Sequence, residues 1–340
     1  MTGTGDVEQE HPRLLGVIGT LVWDTIHRPH ERSGPQEEWG GIGYALSALS
    51  CSLPPGWEVL PLVKVGRDLS EPALRFMAEL PRVRGEGGVV VVPEPNNRVE
   101  LHYEGVTRRS EKLSGGVPPW RWPELAPLAS LCDAMYVNFI SGFELELETA
   151  RALRTSFGGP IYADLHSLFL GLGREGERVP RPLPRWAEWL ESFDAVQMNE
   201  DEFELLARSQ GDPWALAARV VGPALKLMTV TLGARGSAWV AAGGFDPDPF
   251  SWPESRDRFG VPGPARSGRV ELENPEGAVD PTGCGDVWGA TLYARLIAGD
   301  SLEAAMERAN AMASRNAGFR GARGLHLHLQ GRLTRRSESG

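Results

Sequence analysis

Short apolar runs alternate with helix-length patterns over most of this chain, and that alternation restricts the fold more than any other feature. Candidate strands are Leu14–Gly19, Glu58–Val65, Ala134–Phe139, Pro160–Asp164, Asp194–Asn199, Lys226–Leu232 and Ser237–Ala241. Candidate helices are Ile42–Cys51, Glu71–Leu80, Leu145–Phe157, Glu200–Ser209, Trp214–Val221, Asp286–Ala298 and Ser301–Phe319. Several strands from Ala134 onward are continuously apolar, the pattern of strands buried on both faces. Such strands, alternating with helices, predict an α/β protein with three layers, α/β/α, around a mostly parallel central sheet.

Two segments break the rhythm. Residues 25–39 are polar and charged, and residues 87–110 carry two β-rich runs around a turn at Glu94–Asn97. The second segment reads as a β-hairpin with a four- or five-residue loop. Both interrupt a βα pattern, so they are expected to leave the core together as a small β-sheet lid over the C-terminal strand ends. The polar stretches 1–12 and 331–340 read as flexible tails, which leaves a single domain over residues 13–330. Gly243–Arg266, rich in Pro, Gly and Asp, reads as a long surface loop.

The charge balance narrows the partners. The 340 residues carry a formal net charge of −10. A chain this acidic is not a nucleic-acid binder as a whole, and an anionic ligand needs a locally positive site. Cys51, Cys132 and Cys284 are well separated, match no metal spacing and suit a reducing compartment. No apolar run approaches the length of a membrane span, and no apolar leader precedes residue 13. The expected setting is soluble and cytoplasmic, with no membrane partner.

The stretch from Glu276 through Asp280, Thr282, Gly283, Cys284 and Gly285 to Asp286 runs straight into an apolar helical pattern. Gly283, Cys284 and Gly285 leave backbone N–H groups uncovered where that helix begins. A helix N-terminus carries unpaired donors and partial positive charge, so such a turn can hold an anion or a developing oxyanion. Asp286 stands beside it as a carboxylate able to take a proton, and the positive helix start favours its ionised form. An anion hole beside a base suggests phosphoryl transfer to a hydroxyl, which needs charge stabilisation, in-line geometry and a positioned base. The same residues also fit an ordinary helix cap after a Gly-rich connection.

Other motifs fall at predicted strand ends. Asn199 and Glu202 lie where a strand gives way to a helix; an amide and a carboxylate there can hold hydrated Mg²⁺ through water. They fit a capping box equally well. Thr231, Gly233 and Gly236 form a Gly-rich turn between two strands. Asp24 follows the first strand, and Gly40-Gly41 opens a helix. A carboxylate that accepts from two adjacent hydroxyls is a sensible polyol reader.

In this order the motifs resemble those of the ribokinase-like (PfkB) carbohydrate kinase family, over about residues 13–325. Asp280–Asp286 is similar to the family's Asp-Thr-Thr-Gly-Ala-Gly-Asp signature, with Pro281 for the first Thr and Cys284 for the Ala. The resemblance implies a ribokinase-like fold and a phosphotransferase that moves phosphate from ATP to an alcohol group. It implies Asp286 as the catalytic base and Gly283, Cys284 and Gly285 as the anion hole. By the same resemblance, Asn199 and Glu202 organise Mg²⁺ and phosphate. Thr231, Gly233 and Gly236 lie near the nucleotide phosphates, with Arg235 either reaching them or solvated, and Asn310 lies where the family packs against adenine. Asp24, Gly40 and Gly41 hold substrate hydroxyls. Asp280 and nearby carbonyls match the monovalent-cation (K⁺) site of some members.

The chain also departs from the family. Ala45 stands where ribokinase-like members usually carry Asn. Asp164-Leu-His166 stands where sugar kinases often show Asp-x-Asn-x-Arg, with His166 for the Asn and Leu168 for the Arg. The expected acceptor is a sugar or sugar-like molecule. The alternatives are a nucleoside kinase, with Tyr103, Phe139 or Trp23 stacking a base, and a catalytically silent ligand-binding homologue. Lid edges in the family often pair, which suggests a homodimer.

Overall fold

The computed structural model describes residues 11–28, 34–103, 109–256, 263–272 and 280–333. Residues 1–10 and 334–340 of the expected tails, and Glu276–Val279 ahead of the Gly-rich turn, lie outside them.

The chain enters β1 (Arg13–Ile18), leaves the core as β2 (Leu21–His27) and β3 (Gln36–Gly41), and returns through α1 (Ile42–Ser52) to β4 (Trp57–Gly66). Helix α2 (Ser70–Ala78) and β5 (Val89–Val92) follow, then a second excursion as β6 (Arg98–Tyr103) and β7 (Arg109–Ser114). Helix α3 (Trp122–Ala129) leads to β8 (Ala134–Asn138), and α4 (Leu147–Ser156) to β9 (Ile161–Asp164). A short ribbon, β10 (Leu170–Leu172) and β11 (Arg178–Pro180), and α5 (Trp186–Glu191) precede β12 (Ala195–Asn199). Helices α6 (Glu200–Ala207) and α7 (Pro213–Val220) lead to β13 (Leu227–Thr231), β14 (Ser237–Ala241) and β15 (Arg266–Val270). Helices α8 (Cys284–Ile297), α9 (Leu302–Ala317) and α10 (Leu325–Leu329) follow.

Nine strands form the central sheet in the order β15-β14-β13-β12-β9-β8-β1-β4-β5. The strands from β13 across to β5 pair in parallel, while β14 and β15 run antiparallel at one edge. Alternate residues of these strands enter two separate cores, as period-two geometry requires. In β8, Ala134 and Tyr136 join one core, Met135 and Val137 the other. Helices α1, α8 and α9 cover the first face, and α4, α6 and α7 the second. This is the three-layer α/β/α arrangement that the alternation predicted.

The lid is a separate four-stranded sheet, β3-β2-β6-β7. Ile26, Leu101 and Tyr103 form its own small apolar cluster. The expected hairpin around Glu94–Asn97 is not formed. Val89–Val92 pairs in parallel with β4 as the edge of the central sheet, and Arg98–Tyr103 instead joins the lid beside β2. The reason lies at the turn. Asn96 is fully buried, accepts from Gly66 N and donates to Leu21 O, which anchors the segment between the two sheets. Within the loop read over Gly243–Arg266, residues 257–262 lie outside the described residues, Pro249–Ser251 and Pro253–Ser255 form short 3₁₀ turns, and Arg266 opens β15. Among the described residues, no helix is long and apolar enough to cross a membrane.

Candidate active site

The parallel strands end in polar side chains, and these meet the start of α8. Gly283 is the N-cap of that helix, with φ 75° and ψ 0°. A Cβ there would lie 2.3 Å from the ring of Tyr44, so both the left-handed backbone and the close approach call for glycine. Asn316 Nδ2 donates to Thr282 O at 2.9 Å and ties the turn to α9. Gly285 is exposed, so the outer side of the turn is open to a ligand. Asp286, half-buried in the first helical turn, accepts from Asn138 Nδ2 at 2.8 Å. Gln197 Nε2 donates both to Gly285 O (3.0 Å) and to Asp164 Oδ2 (3.1 Å). Asn138 and Gln197 escaped the sequence reading. Their one signal is a polar residue within an otherwise apolar strand.

Two clefts meet at this turn from opposite sides. The smaller, about 80 Å³, is lined by Asp24, Gly41, Tyr44, His166, Gly283 and Asp286, with Val99, Leu101 and Glu111 of the lid above. The larger, about 220 Å³, is lined by Thr231, Gly233, Gly236, Cys284, Gly285 and Asn310. Of the sequence-predicted residues, Asp24 and Gly41 line the smaller cleft and Thr231, Gly233, Gly236 and Asn310 the larger, while Gly40, Asn199 and Glu202 line neither. Glu111, which the sequence reading did not select, adds a carboxylate to the smaller cleft.

In the smaller cleft Asp24 is buried, and Gly40 makes room for it: a Cβ at Gly40 would lie 1.8 Å from Asp24 Oδ2. Gly41 has φ 58°, and a Cβ there would lie 2.3 Å from Thr20 O. Ala45 is fully buried in the core and lines neither cleft. The three aromatics considered as base-stacking groups do not line this cleft. Phe139 is fully buried against Trp189 and Phe193, Trp23 packs edge-on to Trp39, and Tyr103 turns its hydroxyl to Thr282. Strand alternation sends Phe139 to the face opposite the one the idea required.

Around the larger cleft, Asn310 Oδ1 accepts from Trp288 Nε1 (2.7 Å) and Ser237 Oγ (3.0 Å), and its Nδ2 donates to Val270 O. Its polar atoms serve the protein, so Asn310 shapes the wall of the cleft. Arg235 is paired with Glu200 at the surface.

Asn199 caps α6 in a reciprocal capping box. Its Oδ1 accepts from Glu202 N (2.9 Å), and its own N donates to Glu202 Oε2 (2.8 Å). Glu202 Oε1 also accepts from Asn199 Nδ2 (2.6 Å) and is paired with His166 Nδ1. Burial would lower the pKa of His166, but the charge and hydrogen bond of Glu202 outweigh it and raise the group to about 9. Asp164 is raised to about 8, first by burial and then by the charges of Asp286 and Glu202. The strand ends therefore hold a concentration of negative charge that favours a proton or a cation.

Asp280, just ahead of the turn, is almost fully buried. Its Oδ1 accepts from Thr282 N (3.0 Å) and from the Tyr103 hydroxyl (3.3 Å), and its Oδ2 pairs with Arg28. The carboxylate expected to face a monovalent cation faces a guanidinium.

Residues 178–326 match the sequence model of the pfkB family carbohydrate kinases. A search of curated protein sequences found no match. Among solved structures, the chain is similar to a ribokinase of Thermotoga maritima (17% identity, 94% of this chain and 98% of that one, TM-score 0.67). It is similar to an Arabidopsis thaliana ribokinase complexed with ribose and ATP (19% identity, 94% and 98%, TM-score 0.63). It is likewise similar to a Burkholderia thailandensis nucleoside kinase in complex with inosine (16% identity, 94% and 96%, TM-score 0.63). The structural likeness shows a ribokinase-like fold, and residues 178–326, a little under half of the chain, are similar to the pfkB family carbohydrate kinases.

Proposed function

We propose that the chain transfers the γ-phosphoryl group of ATP to a hydroxyl of a sugar or sugar-like molecule. The observation that carries this reading is the meeting of two clefts at one Gly-rich helix start, with Asp286 on the smaller side. The nucleotide occupies the larger cleft, against Thr231, Gly233, Gly236 and Asn310. The acceptor occupies the smaller one, with two of its hydroxyls donating to Asp24. Asp286, held by Asn138, takes the proton of the attacking hydroxyl. The backbone N–H groups of residues 283–286 stabilise the charge that develops on the phosphoryl oxygens.

The residues at the strand ends fit Mg²⁺. Asp164, Glu202 and Asp286 gather carboxylates there, and Asp164, raised first by burial, is raised further by the charges of the other two; oxygen donors of this kind suit a hydrated divalent ion. Asn199 and Glu202 would hold it only through water, since the capping box and His166 already engage their oxygens. Bound there, Mg²⁺ neutralises phosphate charge. Asp280 does not fit a K⁺ site, because Arg28, Tyr103 and Thr282 N already engage its oxygens.

A nucleoside acceptor is disfavoured by the positions of Phe139, Trp23 and Tyr103, and a silent homologue by the seating of Asp286. A cytoplasmic setting and pairing of lid edges into a homodimer complete the reading. ATP consumption with Mg²⁺ over a panel of sugars, polyols and nucleosides tests it. Turnover with at least one sugar or polyol is expected; turnover confined to nucleosides, or none with any acceptor, overturns it.

A further inference from the structure

We propose that Arg28 is a positioning residue, the resident cation of the catalytic turn, which stands in for a bound monovalent ion and couples the lid to Asp286. The inference rests on the reading of residues 283–286 as the catalytic turn.

Asp280 has 2% of its side chain exposed and Arg28 has 13%, so the pair is shielded from water. A buried carboxylate needs a cation, and in this chain the cation is covalent. The partners come from different parts of the fold. Arg28 immediately follows β2, the strand that carries Asp24. Tyr103 ends the neighbouring lid strand, lies 5.3 Å beneath the Arg28 guanidinium and meets Thr282 Oγ1 at 2.5 Å. Both lid strands thus grip the residues immediately before the turn. Asp280 passes the grip on, because Oδ1 also accepts from Thr282 N and so fixes the backbone that leads into Gly283. A monovalent ion would compete for the same oxygens beside a like charge. The strand that offers Asp24 to the acceptor also delivers Arg28 to Asp280, so seating of the lid over the acceptor and ordering of the turn are one event.

The test uses the full chain, Arg28→Ala and Arg28→Lys, with two readouts: turnover, and hydrogen exchange of the amides of residues 282–287. Wild-type turnover should change by less than about twofold when tetramethylammonium replaces K⁺ at constant ionic strength. Arg28→Ala should lose roughly tenfold or more in kcat and exchange these amides faster. Added guanidinium or K⁺ should restore part of both, and Arg28→Lys should fall between. A merely structural loss would not respond to small cations. Marked stimulation of the wild type by K⁺ overturns the proposal, as does an Arg28→Ala protein with normal turnover and exchange, or one insensitive to guanidinium and K⁺. If the wild type phosphorylates no acceptor, the functional reading fails, and exchange in the Arg28 variants still decides the coupling.

Discussion

Asn138 Nδ2 donates to Asp286 Oδ1 across 2.8 Å, although the two residues lie 148 positions apart. The contact joins the end of a central strand to the start of α8 and fixes the direction of the carboxylate. A hydrogen bond to a charged group contributes about 1.5–3 kcal/mol, which corresponds to roughly 10- to 150-fold in rate when it acts in the transition state. Asn138→Ala should therefore lower kcat by that factor and leave the KM for ATP nearly unchanged. Steady-state kinetics check this; an unaltered kcat would show that Asp286 needs no such support.

Gly40 tests the acceptor side. An added methyl would sit 1.8 Å from Asp24 Oδ2 and must displace it. Gly40→Ala should raise the acceptor KM by about tenfold, the cost of one misplaced charged hydrogen bond, while the KM for ATP stays put. Equal shifts in both constants would count against Asp24 as the acceptor's partner.

The His166–Glu202 pair predicts a pH dependence of stability. The pKa of His166 rises from 6.5 unfolded to about 9 folded. The stabilisation is fully present below the lower value and is lost as pH rises through the upper one. Asp164, raised from 3.8 to about 8, also costs stability as pH rises through its folded value. His166 is partly exposed, so its own share is at most about 1 kcal/mol. Thermal unfolding between neutral pH and pH 10 should show wild-type Tm falling more steeply than that of His166→Gln. Parallel curves would remove the pair as the cause.

The frame of the site was legible because its signals are local. Gly283–Asp286 announces a helix start, and Asn199 with Glu202 announces a cap that the fold does form. What was not legible depends on register and on contacts distant in sequence. Asn138 and Gln197 become site residues only because their strands end beside α8. Arg28 meets Asp280 across 252 positions, and nothing in residues 25–28 points to it. The Val89–Val92 run has the composition of a hairpin arm, yet the buried Asn96 sends it to the edge of the central sheet. Helix α3 was hidden by its own sequence, with Pro at its start and Pro127 inside.

The central claim is that Asp286 is the base at the junction of the two clefts. Asp286→Asn keeps the shape and removes the proton acceptor, so its turnover with ATP, Mg²⁺ and the best acceptor is the most direct measurement. The account predicts a loss of about 10³-fold or more in kcat, with the melting temperature and ATP binding retained. Turnover close to wild type in that variant would contradict it.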